Sequence, residues 1–157
     1  MTDQSSELVK MWQEAMALKN AQRWQEAARV FERILLAQPD WEHGYGQFNL
    51  AECYEGAGRI SDAEVAYRSA IRATPTDPTL LGGLASFLYL HGQPKEAFDE
   101  HVRLLRLEEK QGNIDGVACT TTALKALGLR LGWSDAETTM RITQASQTGN
   151  WGAVCKS

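Results

Sequence analysis

Proline, cysteine and surplus positive charge are all scarce in this chain, and each shortage removes a class of protein. Only 4 prolines and 13 glycines interrupt 157 residues, which leaves room for long regular elements. The cysteines are Cys53, Cys119 and Cys155. Odd in number and widely spaced, they do not form a disulfide framework and read as reduced thiols of a cytoplasmic protein. Lys and Arg together number 16 against 20 Asp and Glu, a net charge of −4. Neutralising phosphate needs the opposite balance, so nucleic acid and anionic membrane surfaces are not the expected partners. No apolar run approaches the ~20 residues of a membrane span. The start, Met1 to Glu7, is polar and acidic and does not read as a signal peptide. His43, His91 and His101 stand at no metal-ligand spacing, and Cys-x-x-Cys, P-loop, Gly-x-Ser-x-Gly and His-Glu-x-x-His motifs are missing. No catalytic residue, metal or cofactor is therefore expected. His101 reads as a packed core histidine, and His91, in a Leu-His-Gly turn, as solvated.

What remains is 43% hydrophobic and 23% charged, enough apolar side chain for a core. Its pattern repeats. Trp24-Gln25-Glu26-Ala27 through Phe31, Ile60-Ser61-Asp62-Ala63 through Tyr67, and Pro94-Lys95-Glu96-Ala97 through His101 share one register. Ala27, Ala63 and Ala97 fall 36 and 34 residues apart, and Pro39 and Pro75 are again 36 apart. Apolar residues recur at helical rather than strand spacing, so an all-α fold is expected. The helices are placed at 6–20, 24–37, 41–56, 60–73, 78–90, 94–111, 115–131 and 134–147. Asp77-Pro78 and Gln93-Pro94 mark helix starts. Ser61 to Glu64 and Ser134 to Glu137 share the sequence Ser-Asp-Ala-Glu and have the form of capping boxes. Gly56, Gly58 and Gly92 mark turns between paired helices.

The period and the order Ala, aromatic, small residue, proline resemble the tetratricopeptide repeat. The residues carrying the resemblance are Ala27, Phe31, Ile34 and Pro39, then Ala63, Tyr67, Ala70 and Pro75. The third set, Ala97, His101, Leu104 and Glu109, departs at the aromatic and at the proline. First helices match through Gln47, Leu50, Ala51 and Tyr54 and through Leu81, Leu84, Ala85 and Leu88. In the first repeat Met11, Ala15 and Leu18 match, and Glu14 is a misfit. The resemblance implies a right-handed α-α superhelical solenoid in one domain, 1–157. Its repeats fall at about 8–41, 44–77 and 78–111, with a diverged repeat or capping pair at about 114–147. Ala136, Met140 and Thr148 are aligned as the anchor, aromatic and proline positions of that last unit. Residues 148–157 read as a flexible tail, in which Trp151 is available to dock on a neighbouring helix or another copy.

In this family the concave face comes mainly from the first helix of each repeat. Carried over, that face holds Val9, Trp12, Met16 and Lys19, then Tyr45, Phe48, Asn49, Glu52 and Glu55, then Thr79, Gly82, Ser86 and Tyr89. Its aromatics suit bulky apolar anchors. Trp12 and Phe48, one period apart, read either as a side-by-side groove pair or as inter-repeat core. Gly82-Gly83 reads as close helix packing or as an open groove floor. Glu52 and Glu55 would attract a basic segment and repel a terminal carboxylate. The Lys/Asn/Arg carboxylate clamp of some members is matched only at Asn49 and is rejected.

The resemblance implies a protein–protein interaction module holding a short partner segment in this groove. The chain also resembles the small acidic chaperones of bacterial export systems, which shield an apolar substrate. A regulatory or self-association module of a larger assembly is the third alternative.

Overall fold

The computed structural model describes residues 2–148, apart from the side chains of residues 2–4, 146 and 148. Trp151 and Cys155, and the tail reading built on them, lie outside the described residues. The described chain is eight α-helices and one short 3-10 turn: α1 Thr2–Asn20, α2 Trp24–Ala37, the turn Trp41–Gly44, α3 Tyr45–Gly56, α4 Ile60–Ala73, α5 Pro78–Leu90, α6 Pro94–Gln111, α7 Ile114–Arg130 and α8 Asp135–Thr148. It divides into two compact units, residues 1–75 and 76–157. The first holds α1 to α4 and the second α5 to α8.

Local chemistry sets the helix ends. Pro78 opens α5, and the Asp77 carboxylate accepts from the amides of Thr79 at 2.8 Å and Leu80 at 3.2 Å. Asn113 caps α7 by accepting from the Gly116 amide at 3.1 Å. Ser134 caps α8 by accepting from the Glu137 amide at 3.1 Å. Ser61 does not repeat this role. It lies inside α4, whose cap position is Arg59 and carries no side-chain bond. The expected helix at 41–56 starts later, at Tyr45, because Glu42 and His43 take left-handed φ of 51° and 53° and break it. Gly56 stands at the turn from α3 into α4, as expected. It ends α3, and a Cβ there would lie 2.5 Å from the Trp24 ring, so glycine lets the indole pack against the helix.

In the first unit the core gathers Leu8, Met11 and Ala15 from α1 with Ala27, Phe31 and Ile34 from α2, and Trp41, Leu50 and Cys53 beyond them. These buried positions follow the amphipathic stripe of each helix. Glu14, the misfit of the first repeat, is exposed. In the second unit Leu80, Leu84, Phe87, Leu88, Ala97, Phe98, Val102 and Leu105 are buried, together with Leu124 and Leu127 of α7. Phe98 meets the Trp133 ring edge-on at 5.1 Å, and the Arg141 guanidinium lies 4.2 Å over that indole.

Structure corrects the fourth register. Ala136 is exposed, as is Met140, whereas Thr138 and Ala145 are buried and Ile142 is half-buried. Counting from the helix start, Ala27, Ala63 and Ala97 are each the fourth residue, and the fourth residue of α8 is Thr138. The anchor, aromatic and small slots of this pair are thus Thr138, Ile142 and Ala145. A Cβ on Gly128 would fall on the Thr138 hydroxyl, so a small residue on α7 admits the larger anchor. The two Ser-Asp-Ala-Glu strings do not occupy equivalent positions: Ser134 stands just before α8, whereas Ser61 is already the second residue of α4.

Candidate functional site

In the first unit, α1 carries Trp12, Met16 and Lys19, and α3 carries Tyr45, Phe48, Asn49, Glu52 and Glu55. The aromatics turn toward their own helix pair. Trp12 is half-buried, with its ring edge-on to Phe31 at 5.3 Å and tilted to Trp41 at 6.4 Å. Phe48, also half-buried, meets Tyr67 at 5.5 Å and Tyr45 at 6.2 Å. Each contact joins residues 19 apart, Trp12 with Phe31 and Phe48 with Tyr67. Trp12 and Phe48 do not stack on one another among the described residues; each packs on the second helix of its own pair, and Trp12 also meets Trp41 ahead of α3. Met16 packs on the same core as Trp12. Val9 is exposed.

The polar groups between these helices bind each other. Lys19 Nζ donates to Asn49 Oδ1 at 2.6 Å and to the Glu52 carboxylate, and Asn49 Nδ2 donates to the Tyr45 carbonyl at 2.8 Å. Lys19 therefore spans the gap between α1 and α3. The Glu55 carboxylate accepts from the Tyr67 hydroxyl at 3.0 Å. Burial, and then the Glu55 charge, push the Tyr67 phenol far above its ordinary range. Cys53, buried beside Lys19 and Glu52, has its thiol pushed up to about 11, chiefly by burial. It is thus a packed thiol held in its neutral form. Both carboxylates expected to attract a basic partner are engaged inside the unit.

The second unit is built differently at the same positions. A cleft of about 430 Å³ opens against α5, α6 and α7. Ser86, Tyr89 and Leu90 line it from α5, His101 from α6, and Ala123, Ala126 and Leu127 from α7. Gly82 precedes Ser86 by one turn. A Cβ there would meet Leu104 at 3.6 Å, an ordinary contact, so close packing does not require this glycine. Thr79 is exposed at the start of α5. At the rim, Arg130 Nη1 donates to the Tyr89 carbonyl at 3.2 Å, and its guanidinium lies 4.9 Å from the Tyr89 ring centre.

His101 is buried, as expected of the aromatic slot. Its Nδ1 lies 2.7 Å from the Ala97 carbonyl; a carbonyl only accepts, so Nδ1 carries the proton in this bond. Burial lowers its pKa below the ordinary value and favours the neutral ring. His91 is not free in solvent: its ring sits 4.6 Å from that of Phe87.

Of the residues expected on a binding face, then, Ser86 and Tyr89 line an open cleft. Trp12, Met16, Phe48, Asn49, Lys19, Glu52 and Glu55 are engaged within the first unit. Ala123, Ala126, Leu127 and Arg130 lie on α7, in the fourth unit, beyond the three repeats over which the concave-face pattern is carried. Aligning the turn glycines Gly92 and Gly132, 40 residues apart, places Ala126 opposite Ser86 in the repeat and would have found them. Among the described residues, no three His, Cys, Asp or Glu side chains gather as a metal site, and no helix is long and apolar enough to cross a membrane.

The sequence profile described as tetratricopeptide repeat matches residues 13–78 and again 54–113. No curated protein sequence matches significantly. Among solved structures, a T3SS complex from Aeromonas hydrophila aligns with a TM-score of 0.71 at 14% identity, over 82% of this chain and 85% of that one. The type III secretion translocator chaperone SycD of Yersinia enterocolitica aligns at 0.70 and 17%, over 82% and 88% of the two chains. PcrH in complex with the chaperone binding region of PopD aligns at 0.70 and 16%, over 80% and 94%. At such identities the likeness is one of fold.

Proposed function

The chain belongs to the tetratricopeptide-repeat family, and from that premise we propose that it is a protein-binding module holding a short partner segment against the first helices of its repeats. One observation carries the reading: the cleft beside Ser86 and Tyr89 is open, apolar in lining and large enough for a bulky side chain. Apolar lining with few polar groups suits anchoring by side chains, with affinity set by one or two buried contacts. Ser86, Tyr89 and Gly82 are the groove residues we retain as contacts. Trp12, Met16, Lys19, Tyr45, Phe48, Asn49, Glu52 and Glu55 shape the other face and keep its helices in register. No step of chemistry is assigned to the chain, and the thiols are read as those of a cytoplasmic protein.

A second reading is favoured by one finding. Structures that share this fold include the type III secretion chaperone SycD, solved with a peptide of a translocator, and PcrH, solved with the chaperone binding region of PopD. On that reading the partner segment belongs to an export substrate, which the module keeps from aggregating.

Photo-crosslinking from position 86 in the source cell tests the proposal. The expected result is one dominant adduct whose isolated segment binds the purified chain at micromolar Kd, roughly −8 kcal/mol. Random adducts, with no segment that binds, would overturn it. A substrate whose solubility in cells depends on the chain favours the chaperone; a soluble assembly component favours the scaffold.

A further inference from the structure

The two units build the same gap with opposite chemistry. Between α1 and α3 the gap is flanked by Lys19, Asn49 and Glu52, and the Lys19 ammonium bridges it. In the repeat register, Lys19 corresponds to Tyr89, Asn49 to Ala123 and Glu52 to Ala126. The bridging cation has become an aromatic ring, and both of its acceptors have become methyl groups. What remains between α5 and α7 is the open cleft. Its occupant is therefore apolar where it enters, because Ala123 and Ala126 offer nothing to a buried polar group.

Charge at the rim selects what lies beside that apolar anchor. Helix α5 carries no charged residue. The charged residues of α7 are Asp115 in its first turn and then Lys125 and Arg130, toward the end that lines the cleft. Arg130 is exposed, held by the Tyr89 carbonyl and ring, and no carboxylate among the described residues pairs with it. A guanidinium fixed by stacking and one hydrogen bond keeps its other N–H groups free for a carboxylate.

We infer that the cleft between α5 and α7 binds a partner segment in which a bulky apolar side chain is followed or preceded by Asp or Glu, the carboxylate pairing with Arg130. This rests on the protein-binding reading and sharpens it. The segment sought is acidic and apolar, not basic, because Glu52 and Glu55 are engaged internally.

Two short capped peptides serve as probes, Ser-Gly-Ser-Glu-Phe-Glu-Ser-Gly-Ser and the same peptide with Lys for each Glu. Amide shifts of the full-length chain are followed at low salt. The Glu peptide should move α5 and α7 amides and bind at least ~10-fold more tightly than the Lys peptide. Arg130→Glu should reverse that preference, an effect that loss of packing alone would not produce. Ala126→Trp should fill the cleft and abolish both. Ala126 is exposed, so the variant should retain the wild-type helical spectrum; Ala123→Leu gives a second block. Equal affinities, no binding at about 1 mM, or binding that survives both blocking variants would overturn the inference. If a cellular partner crosslinks to wild type and equally to Arg130→Glu and Ala126→Trp, the cleft is not its site, although the chain remains a binding module.

Discussion

Left-handed backbone shows how single residues set the helix pairs. Gly58, Gly92 and Gly132 turn with φ of 76°, 79° and 80°, and in the first pair the same place falls to Gln22 at φ 57°. Left-handed φ costs a residue with a Cβ about 1–2 kcal/mol. Glycine adds about 0.4–1 kcal/mol of unfolded-state entropy against the fold. Gln22→Gly should therefore stabilise the chain by roughly 0.5–1 kcal/mol, read as a higher denaturant midpoint at constant slope. His101 gives a second prediction. Its pKa is lowered in the fold by burial, so between that value and about 6.5 the unfolded chain binds more protons and stability falls as pH falls. The contribution is complete above about pH 6.5 and is lost as the pH drops through the folded value. His101→Phe should flatten that part of the stability–pH curve, since Phe31 already fills the equivalent slot. An unchanged slope would show that the histidine is already solvated.

At the level of the element, identical strings test whether packing or sequence decides. Ala63 and Ala136 each follow Ser-Asp, yet Ala63 is fully buried in α4 and Ala136 is exposed on α8. Ala63→Leu should overpack its contact and cost about 1–3 kcal/mol. Ala136→Leu should stay within about 0.5 kcal/mol of wild type, as exposed substitutions do. Equilibrium unfolding of the two variants side by side distinguishes them, and equal costs would refute the Thr138 register. The reason is geometric. A helix starting one residue after Ser134 turns a different side inward from one in which Ser61 is already the second residue.

For the whole molecule, repeats couple through neighbours, and cooperativity decides whether the chain behaves as one body. We propose that residues 1–157 form one domain. With Trp133 and Trp151 replaced by Phe, Trp12, Trp24 and Trp41 report on the first unit alone, while helical circular dichroism reports on both. A single domain should lose tryptophan fluorescence and helicity at the same denaturant midpoint, with no strand signal before or after. A fluorescence transition separate from the helical one would divide the chain into two domains.

Helix number, most helix limits and three of the four anchors were legible in the chain because they rest on short-range physics. Period, proline placement, caps and turn glycines act within a few residues, and Ala27, Ala63 and Ala97 emerge buried where the period puts them. The fourth anchor was not legible, because deciding between Ala136 and Thr138 depends on the mate each meets across α7. Nor was the fate of the expected binding face. A stripe of Trp12, Lys19, Phe48 and Glu52 looks the same in sequence whether it meets a partner or itself. Only tertiary structure brought Lys19 to Asn49 and Glu52, turned the rings toward Phe31 and Tyr67, and set Tyr89 with Ala123 and Ala126 along one open cleft. Side-chain pairing across a gap between helices is a long-range event, and a one-dimensional period carries no information about which gaps are filled.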